Sequence, residues 1–88
     1  MNTLFLLMAQ YDGRVVIPLD RACADYMNLT VEKFKYKQLR GEIDIPITRL
    51  GADTQKASLG LHIQDLADYI DRQRAKAAKE QNQIMGRS

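Results

Sequence analysis

The stretch TVEKFKYKQLRG, at positions 30–41, contains the residues that begin and end a helix. Thr30 is a favourable N-cap, and Glu32 lies in the first turn, where the positive end of the helix dipole stabilises an acid. Gly41 stands at the C′ position, where glycine adopts the left-handed backbone that ends many helices. The stretch therefore predicts one helix from Val31 to Arg40.

The two sides of this helix differ in character when its residues are projected at 100° per residue. One side is apolar and is expected to pack, and it consists of Val31, Phe34 and Leu39. The other side is a row of cations at i, i+4 and i+7, formed by Lys33, Lys37 and Arg40. Lys35 and Tyr36 lie at the margins of this row, and no acid interrupts it. Such cations neutralise phosphates and release counterions, so we predict that the helix contacts nucleic acid.

A second apolar stripe with helical spacing precedes the basic helix. It consists of Leu19, Ala22, Cys23, Tyr26 and Met27. Asp20 is the expected N-cap of this earlier helix. Only Asn28, Leu29 and Thr30 separate the two helices. Two helices joined by about three residues form a helix-turn-helix, whose second helix normally enters the major groove of DNA.

Two stretches after the basic helix alternate in the manner of one-sided strands. In EIDIPITRL, at positions 42–50, the isoleucines share one face, and in SLGLHI, at positions 58–63, the leucines and Ile63 do. Together they predict a β-hairpin wing, with which an earlier short strand at Val15–Ile17 is expected to pair. Four residues at or near its tip are candidate contacts to a DNA backbone or minor groove, with an ordinary polar turn as the alternative. These residues are Arg49, Thr54, Gln55 and Lys56.

Both ends of the chain are predicted to be helical. Thr3 is a favourable cap for a short helix ending near Gln10, which is apolar all round and must be covered on several faces. A longer helix is expected to begin near Gln64, with acids early and bases late. Beyond Lys79 it is either frayed or stabilised by a partner chain. We therefore expect a homodimer formed through the N-terminal helix, the C-terminal helix or both.

These elements combine into an α+β fold, a winged helix-turn-helix of the MerR/excisionase type with an N-terminal helix, a hairpin wing and a long C-terminal helix. A chain of 88 residues suits one domain, which we place at residues 1–75, with 76–88 as a helical extension or frayed tail. The chain has 13 Lys and Arg against 11 Asp and Glu, a net charge of only +2. DNA binding must therefore depend on where the charges lie.

The other reactive residues are expected to be structural. A single cysteine, Cys23, forms no internal disulfide, which fits a reducing bacterial cytoplasm. Neither Cys23 nor the single histidine, His62, can complete a metal site, so we predict no metal and no cofactor. Asp65, Asp68 and Asp71 suit the start of a helix rather than catalysis. With no catalytic constellation and no long apolar run, we expect neither an enzyme nor a membrane protein.

Three segments cover nearly the whole chain: MNTLFLLMAQYDGRVVIPLD at positions 1–20, LTVEKFKYKQLRGEIDIPITRL at 29–50 and QKASLGLHIQDLADYIDRQRA at 55–75. They resemble the pyocin activator (PrtN-like) family of small bacterial and prophage transcription regulators. The resemblance implies binding to promoter DNA and activation of bacteriocin or phage-type genes, with RNA polymerase as a candidate partner. It implies no catalytic residues.

Our leading hypothesis is a homodimeric activator that binds double-stranded promoter DNA in a sequence-specific manner. Its predicted contact residues are Thr30, Lys33, Lys35, Tyr36, Lys37, Arg40, Arg49, Thr54, Gln55 and Lys56. Two alternatives stay open: an excisionase-like architectural protein that bends DNA, and a phage module that sequesters a host protein through its apolar ends. DNA bending without activation distinguishes the first alternative, and capture of a host protein without DNA binding distinguishes the second.

Overall fold

The computed structural model describes residues 2–51 and 58–86. In chain order, its elements are helix α1 (Thr3–Gln10), strand β1 (Val16–Pro18), helix α2 (Leu19–Ala22) with a π-helical continuation (Cys23–Met27), helix α3 (Val31–Leu39), strand β2 (Thr48–Leu50), strand β3 (Ser58–His62) and helix α4 (Ile63–Ile84). The predicted α+β class is confirmed, because helices at both ends of the described chain enclose a small antiparallel sheet.

The sheet formed by the described strands has the order β1-β3-β2, and both pairings are antiparallel. The predicted pairing of the early strand with the hairpin is confirmed, with Ile17 opposite Leu61. The early strand is displaced by one residue from its predicted bounds and ends at Pro18. Because proline has no N–H to donate, it is tolerated there on an edge strand.

Gly60 allows β1 to approach the central strand closely. A Cβ atom at this position would lie 2.5 Å from the carbonyl oxygen of Ile17 and 2.6 Å from Cγ1 of Val16. Both distances are far shorter than a van der Waals contact, and one of them involves backbone. Any side chain at position 60 must therefore displace part of the sheet.

The chain between α3 and β2 contains less strand than the sequence predicts. The alternation of EIDIPITRL predicts a strand from position 42, but only Thr48–Leu50 pairs with β3. Ile43 and Ile45 are nevertheless buried, and the N–H of Ile45 donates to the carbonyl of Ile43 at 3.1 Å. The alternation therefore identifies two apolar anchors of an irregular segment, since side chains two residues apart can both be buried without strand pairing.

One hydrophobic core joins the helices to the sheet. Its largest fully buried side chains include Tyr11, Ile17, Phe34, Ile45, Leu61 and Leu66. Tyr11, which follows α1, donates from its hydroxyl to Asp25 at 2.7 Å, and the guanidinium of Arg21 lies 5.0 Å from its ring centroid. Burial, followed by the hydrogen bond to Asp25, raises the pKa of Tyr11 well above its usual range.

The predicted cap residues of α3 are confirmed, and the helix ends at Leu39, one residue before its predicted end at Arg40. The side chain of Thr30 accepts a hydrogen bond from the N–H of Lys33 at 3.2 Å and thereby caps the helix. At the other end Gly41 has a φ of +76°, and its N–H donates to the carbonyl of Gln38 at 3.0 Å. The N–H of Glu42 donates to the carbonyl of Lys37 at 2.9 Å, which completes a Schellman motif.

The helix before α3 ends at Met27 as predicted, but it differs from the prediction in its N-cap and in its last turns. Pro18 occupies the N-cap position, and Asp20 lies in the first turn, where it accepts from the N–H of Arg21 at 2.9 Å. Asp20 is therefore not the cap, because β1 leads directly into α2. The π-helical residues widen the helix, and Tyr26 of the predicted apolar stripe is left 39% exposed, with its hydroxyl bonded to Gln10.

Helix α1 is capped by Asn2, whose side chain accepts from the N–H of Leu4 at 2.7 Å. The prediction that Thr3 is the cap is therefore wrong. The hydroxyl of Thr3 instead donates to Asp71 of α4 at 2.6 Å, which attaches the first helix to the last.

Helix α4 begins at Ile63, one residue before its expected start, and the last residue of the predicted strand is thus helical. Arg72 of α4 donates from Nη2 to the carbonyl of Asp44 at 2.6 Å and so contacts the irregular segment. None of the helices within residues 2–51 and 58–86 is both long and apolar enough to cross a lipid bilayer.

Candidate nucleic-acid interface

Helix α3 presents to solvent a different face from the one that the sequence predicts. Phe34 is fully buried, whereas Leu39 is 84% exposed, so the prediction that Leu39 packs beside Phe34 is wrong. Five residues along an α-helix correspond to a rotation of about 140°, which places the two side chains on nearly opposite sides. The outer face instead follows three exposed residues at i, i+4 and i+7: Glu32, Tyr36 and Leu39.

Cations border this outer face on both sides. Lys33 and Arg40 lie along one edge and Lys35 lies along the other, and all three are exposed. Lys37, which the sequence predicts to be in the outward row, is half-buried because it lies only about 60° from Phe34 around the helix. Helix α3 therefore carries positive charge at both edges of a face whose centre holds one acid, Glu32, and two largely apolar side chains, Tyr36 and Leu39.

An acid that follows the helix pairs with two of its cations. Oε1 of Glu42 lies 3.8 Å from Nζ of Lys37, and Oε2 lies 3.3 Å from Nε of Arg40. The Schellman motif returns Glu42 to the last turn of α3, and the sequence pattern did not predict this pairing because Glu42 lies outside the helix. The turn predicted at Gly41 was the signal that could have placed Glu42 beside the last turn of α3. Within the described residues, neither Lys33 nor Lys35 forms an ion pair.

Arg40 is held by Tyr36 as well as by Glu42. Its Nη1 donates to the Tyr36 hydroxyl at 2.7 Å, and its guanidinium carbon lies 5.3 Å from the centroid of the Tyr36 ring. A guanidinium has five N–H donors, so donors remain on its two Nη atoms for a phosphate or a base edge. The contacts with Tyr36 orient Arg40 before any ligand binds.

A groove of about 450 Å³ separates α3 from the sheet. Lys35 stands on the α3 side of the groove, and Arg49 of β2 stands on the sheet side. The space between them is lined by the apolar side chains of Leu39, Ile47 and Leu59 and by the polar side chains of Glu32 and Gln38. The structure thus brings three of the predicted contact residues, Lys35, Tyr36 and Arg49, to one groove. The other predicted wing contacts lie outside the described residues: Thr54, Gln55 and Lys56.

A comparison with known protein families covers most of these elements. Residues 3–77 match the family described as pyocin activator protein PrtN, a range that includes α3, the described strands and the first two-thirds of α4. The chain belongs to this family. No curated protein and no solved structure gives a significant match. The predicted family is therefore confirmed, and its name is that of an activator rather than an enzyme.

The other residues that the sequence singled out have structural contacts in this PrtN family member. Nδ1 of His62 accepts from the N–H of Gln64 at 3.0 Å and caps α4. The Cys23 thiol is buried, and burial raises its pKa, which keeps it protonated at neutral pH. Asp68 accepts from the Gln64 side chain, as Asp71 does from Thr3. In the described part of the chain, no three His, Cys, Asp or Glu side chains come together to hold a metal ion.

Proposed function

We propose that this PrtN family member is a sequence-specific, duplex-DNA-binding transcription regulator that activates bacteriocin or prophage genes. In this proposal α2, its π-helical continuation and α3 act as a helix-turn-helix, and β2 and β3 belong to the wing. The observation that carries the proposal is the groove between α3 and the sheet, with Lys35 on one side and Arg49 on the other. The family, named for an activator protein, supports the activating role.

The dimensions of α3 suit the major groove of DNA. With its side chains an α-helix is about 10–12 Å across, close to the width of a major groove, about 12 Å. With α3 in that groove, Lys33 and Arg40 reach one phosphate backbone and Lys35 reaches the other. The backbone near Lys35 then passes between α3 and the wing, where Arg49 contacts it from the opposite side. Phosphate contacts on both strands fix the orientation of the helix.

Quantitative DNA binding tests this proposal. Fragments retained by the full chain are selected from a bacterial genomic library, and affinity for the best one is measured between about 50 and 200 mM salt. The test variant replaces three α3 cations by alanine: Lys33, Lys35 and Arg40. The control replaces three exposed cations of α4: Arg74, Lys76 and Lys79.

The slope of log affinity against log salt should flatten by about 0.9 for each phosphate that the α3 variant no longer neutralises, because each neutralised phosphate releases counterions. The control should keep the wild-type slope. A wild-type affinity that does not change with salt, or an equal decrease in affinity for both variants, would overturn the proposal.

Activation needs a separate measurement. Transcription by bacterial RNA polymerase, the partner we propose for an activator, should increase from the selected fragment when the protein is added. Strong bending of the fragment without more transcript would instead indicate an excisionase-like role. Capture of a host protein with no retained DNA would indicate the protein-interaction module. As a promoter-binding protein it is expected where bacterial DNA lies, in the cytoplasm.

We also propose that the functional form is a homodimer in which α1 contacts a second copy. Phe5, Leu6 and Met8 are 61%, 53% and 42% exposed on a helix that contains no charged residue. A two-fold axis places the same patch of each copy together, so an uncharged apolar face can pair with itself without like-charge repulsion. The bond from Thr3 to Asp71 places α4 beside this interface.

Light scattering of the purified protein tests the dimer against the 10.1 kDa mass of one chain. The wild type should have about twice that mass, and serine at both Phe5 and Leu6 should lower it. Serine at Val15, which is 58% exposed outside α1, is the control and should not change the mass. The mass of a single chain at every concentration would rule out the dimer. This result would not affect the DNA-binding proposal, which the salt-dependent affinity measurement tests separately.

A further inference from the structure

Leu39, the last residue of α3, is the most exposed of the large apolar side chains in the described residues. It contributes almost nothing to the core, which α3 reaches through Phe34. Its neighbour on the outer face, Tyr36, is also more than half exposed. A single exposed leucine is common on protein surfaces. The position of Leu39, however, is specific: together with Glu32 and Tyr36 it lies along the middle of a face whose two edges carry cations.

The C-terminal half of this face, where Tyr36 and Leu39 lie, fits a ligand with negative charge along two borders and an apolar group between them. A DNA major groove has phosphates along both borders and, on its floor, the C5-methyl group of each thymine. Lys33 and Arg40 occupy one edge of the α3 face and Lys35 the other, which leaves Leu39 facing the floor. An apolar side chain there can bury a methyl group but has no donor or acceptor for guanine, cytosine or adenine.

We propose that Leu39 is a specificity-determining residue that contacts thymine methyl groups in the major groove. The proposal rests on the proposed function, since it requires α3 to enter duplex DNA. We assign the outer face of α3 to DNA rather than to a protein partner, because the cations on both edges and the Lys35–Arg49 groove match the two backbones of a duplex. The protein should therefore prefer T·A pairs beneath the C-terminal turn of α3.

Replacing thymine by uracil tests this contact, because uracil lacks the methyl group and pairs with adenine in the same way. A fragment that the full chain binds is copied enzymatically with dUTP in place of dTTP, and both copies are titrated. The wild type should bind the uracil copy about fourfold more weakly for each methyl group that it buries. Leu39→Ala should bind both copies with equal affinity, and Leu39→Met should keep part of the preference for thymine.

Ile84→Ala is the control, since Ile84 is 78% exposed at the far end of α4, and this variant should keep the wild-type ratio of affinities. Thermal unfolding followed by circular dichroism checks that Leu39→Ala is folded. Equal affinity of the wild type for the two copies overturns the inference and leaves DNA binding intact. A thymine preference that persists in Leu39→Ala also overturns it, because another residue then reads the methyl group. Failure to bind any DNA contradicts the proposed function itself.

Discussion

Replacing Glu42 by glutamine should strengthen DNA binding and cost little stability. Glu42 is the acid that lies 3.8 Å from Lys37 and 3.3 Å from Arg40, on the face proposed to contact phosphate. A DNA phosphate that binds Arg40 must compete with this carboxylate. Glutamine keeps the shape of the side chain and the Schellman hydrogen bonds of the backbone, so the substitution removes the negative charge alone.

The magnitude follows from the exposure of the pair. The side chains of Lys37, Arg40 and Glu42 are 42%, 59% and 47% exposed, and ion pairs this accessible to water contribute about 0–1 kcal/mol. The free energy of unfolding should therefore fall by less than about 1 kcal/mol. Because DNA no longer has to break this ion pair when it binds, the affinity of Glu42→Gln for DNA should rise by the same free energy, which is up to about fivefold. The slope of log affinity against log salt should steepen by up to about 0.9, because Arg40 is freed to neutralise a phosphate.

Fluorescence anisotropy with a labelled duplex measures both quantities between about 50 and 200 mM salt. Glu80→Gln makes the same change of charge on an exposed residue of α4, and it should raise affinity much less. The decisive result is the sign of the change. If Glu42→Gln binds more weakly at every salt concentration, Glu42 orients Arg40 for DNA rather than competing with it, and the reasoning is refuted.

Three further predictions concern stability. Gly60→Ala should lower the free energy of unfolding by about 1–3 kcal/mol in urea titrations, because the added Cβ atom meets the Ile17 carbonyl. The control Ser58→Ala, in the same strand, should change this free energy by less than about 0.5 kcal/mol. Thr30→Ala should cost about 1 kcal/mol in the same assay because the α3 cap is removed, and Thr30→Ser should restore most of it. The pKa of Tyr11 is raised in the folded protein, so the stability that Tyr11 contributes is complete below its unfolded pKa of about 10 and is lost as the pH rises above that value. Melting temperatures measured from pH 8 to 11 should therefore fall less steeply for Tyr11→Phe than for the wild type.

The ends of α3 could be predicted from sequence because capping depends on residues that are adjacent in the chain. Thr30 caps through a backbone N–H three residues away, and Gly41 ends the helix through its own φ. The pairing of β1 with the hairpin was also predicted, from two short apolar runs. Local chemistry was enough for these features.

The features that could not be predicted from the sequence depend on contacts between residues that only the folded chain brings together. The exposure of Leu39 follows from which side of α3 the core occupies, and that side is set by Phe34. The pairing of Glu42 with Arg40 needs the turn between them. Asp20 does not take its predicted capping role because β1 runs into α2 without a connecting residue. The DNA contacts assigned to Thr30 and to the cations of α3 and β2 stay predictions.

The hydrogen bond from Arg72 to the carbonyl of Asp44 sets a limit on how far the chain can be shortened. It ties the segment that follows α3 to a residue midway along α4, so a fragment must extend beyond position 72 to keep it. A chain that stops at Ala75 keeps this bond and Thr3's partner Asp71, whereas one that stops at Tyr69 has neither. Minimal fragments for crystallisation or NMR should therefore end at or after position 75, even when the remainder of α4 is removed.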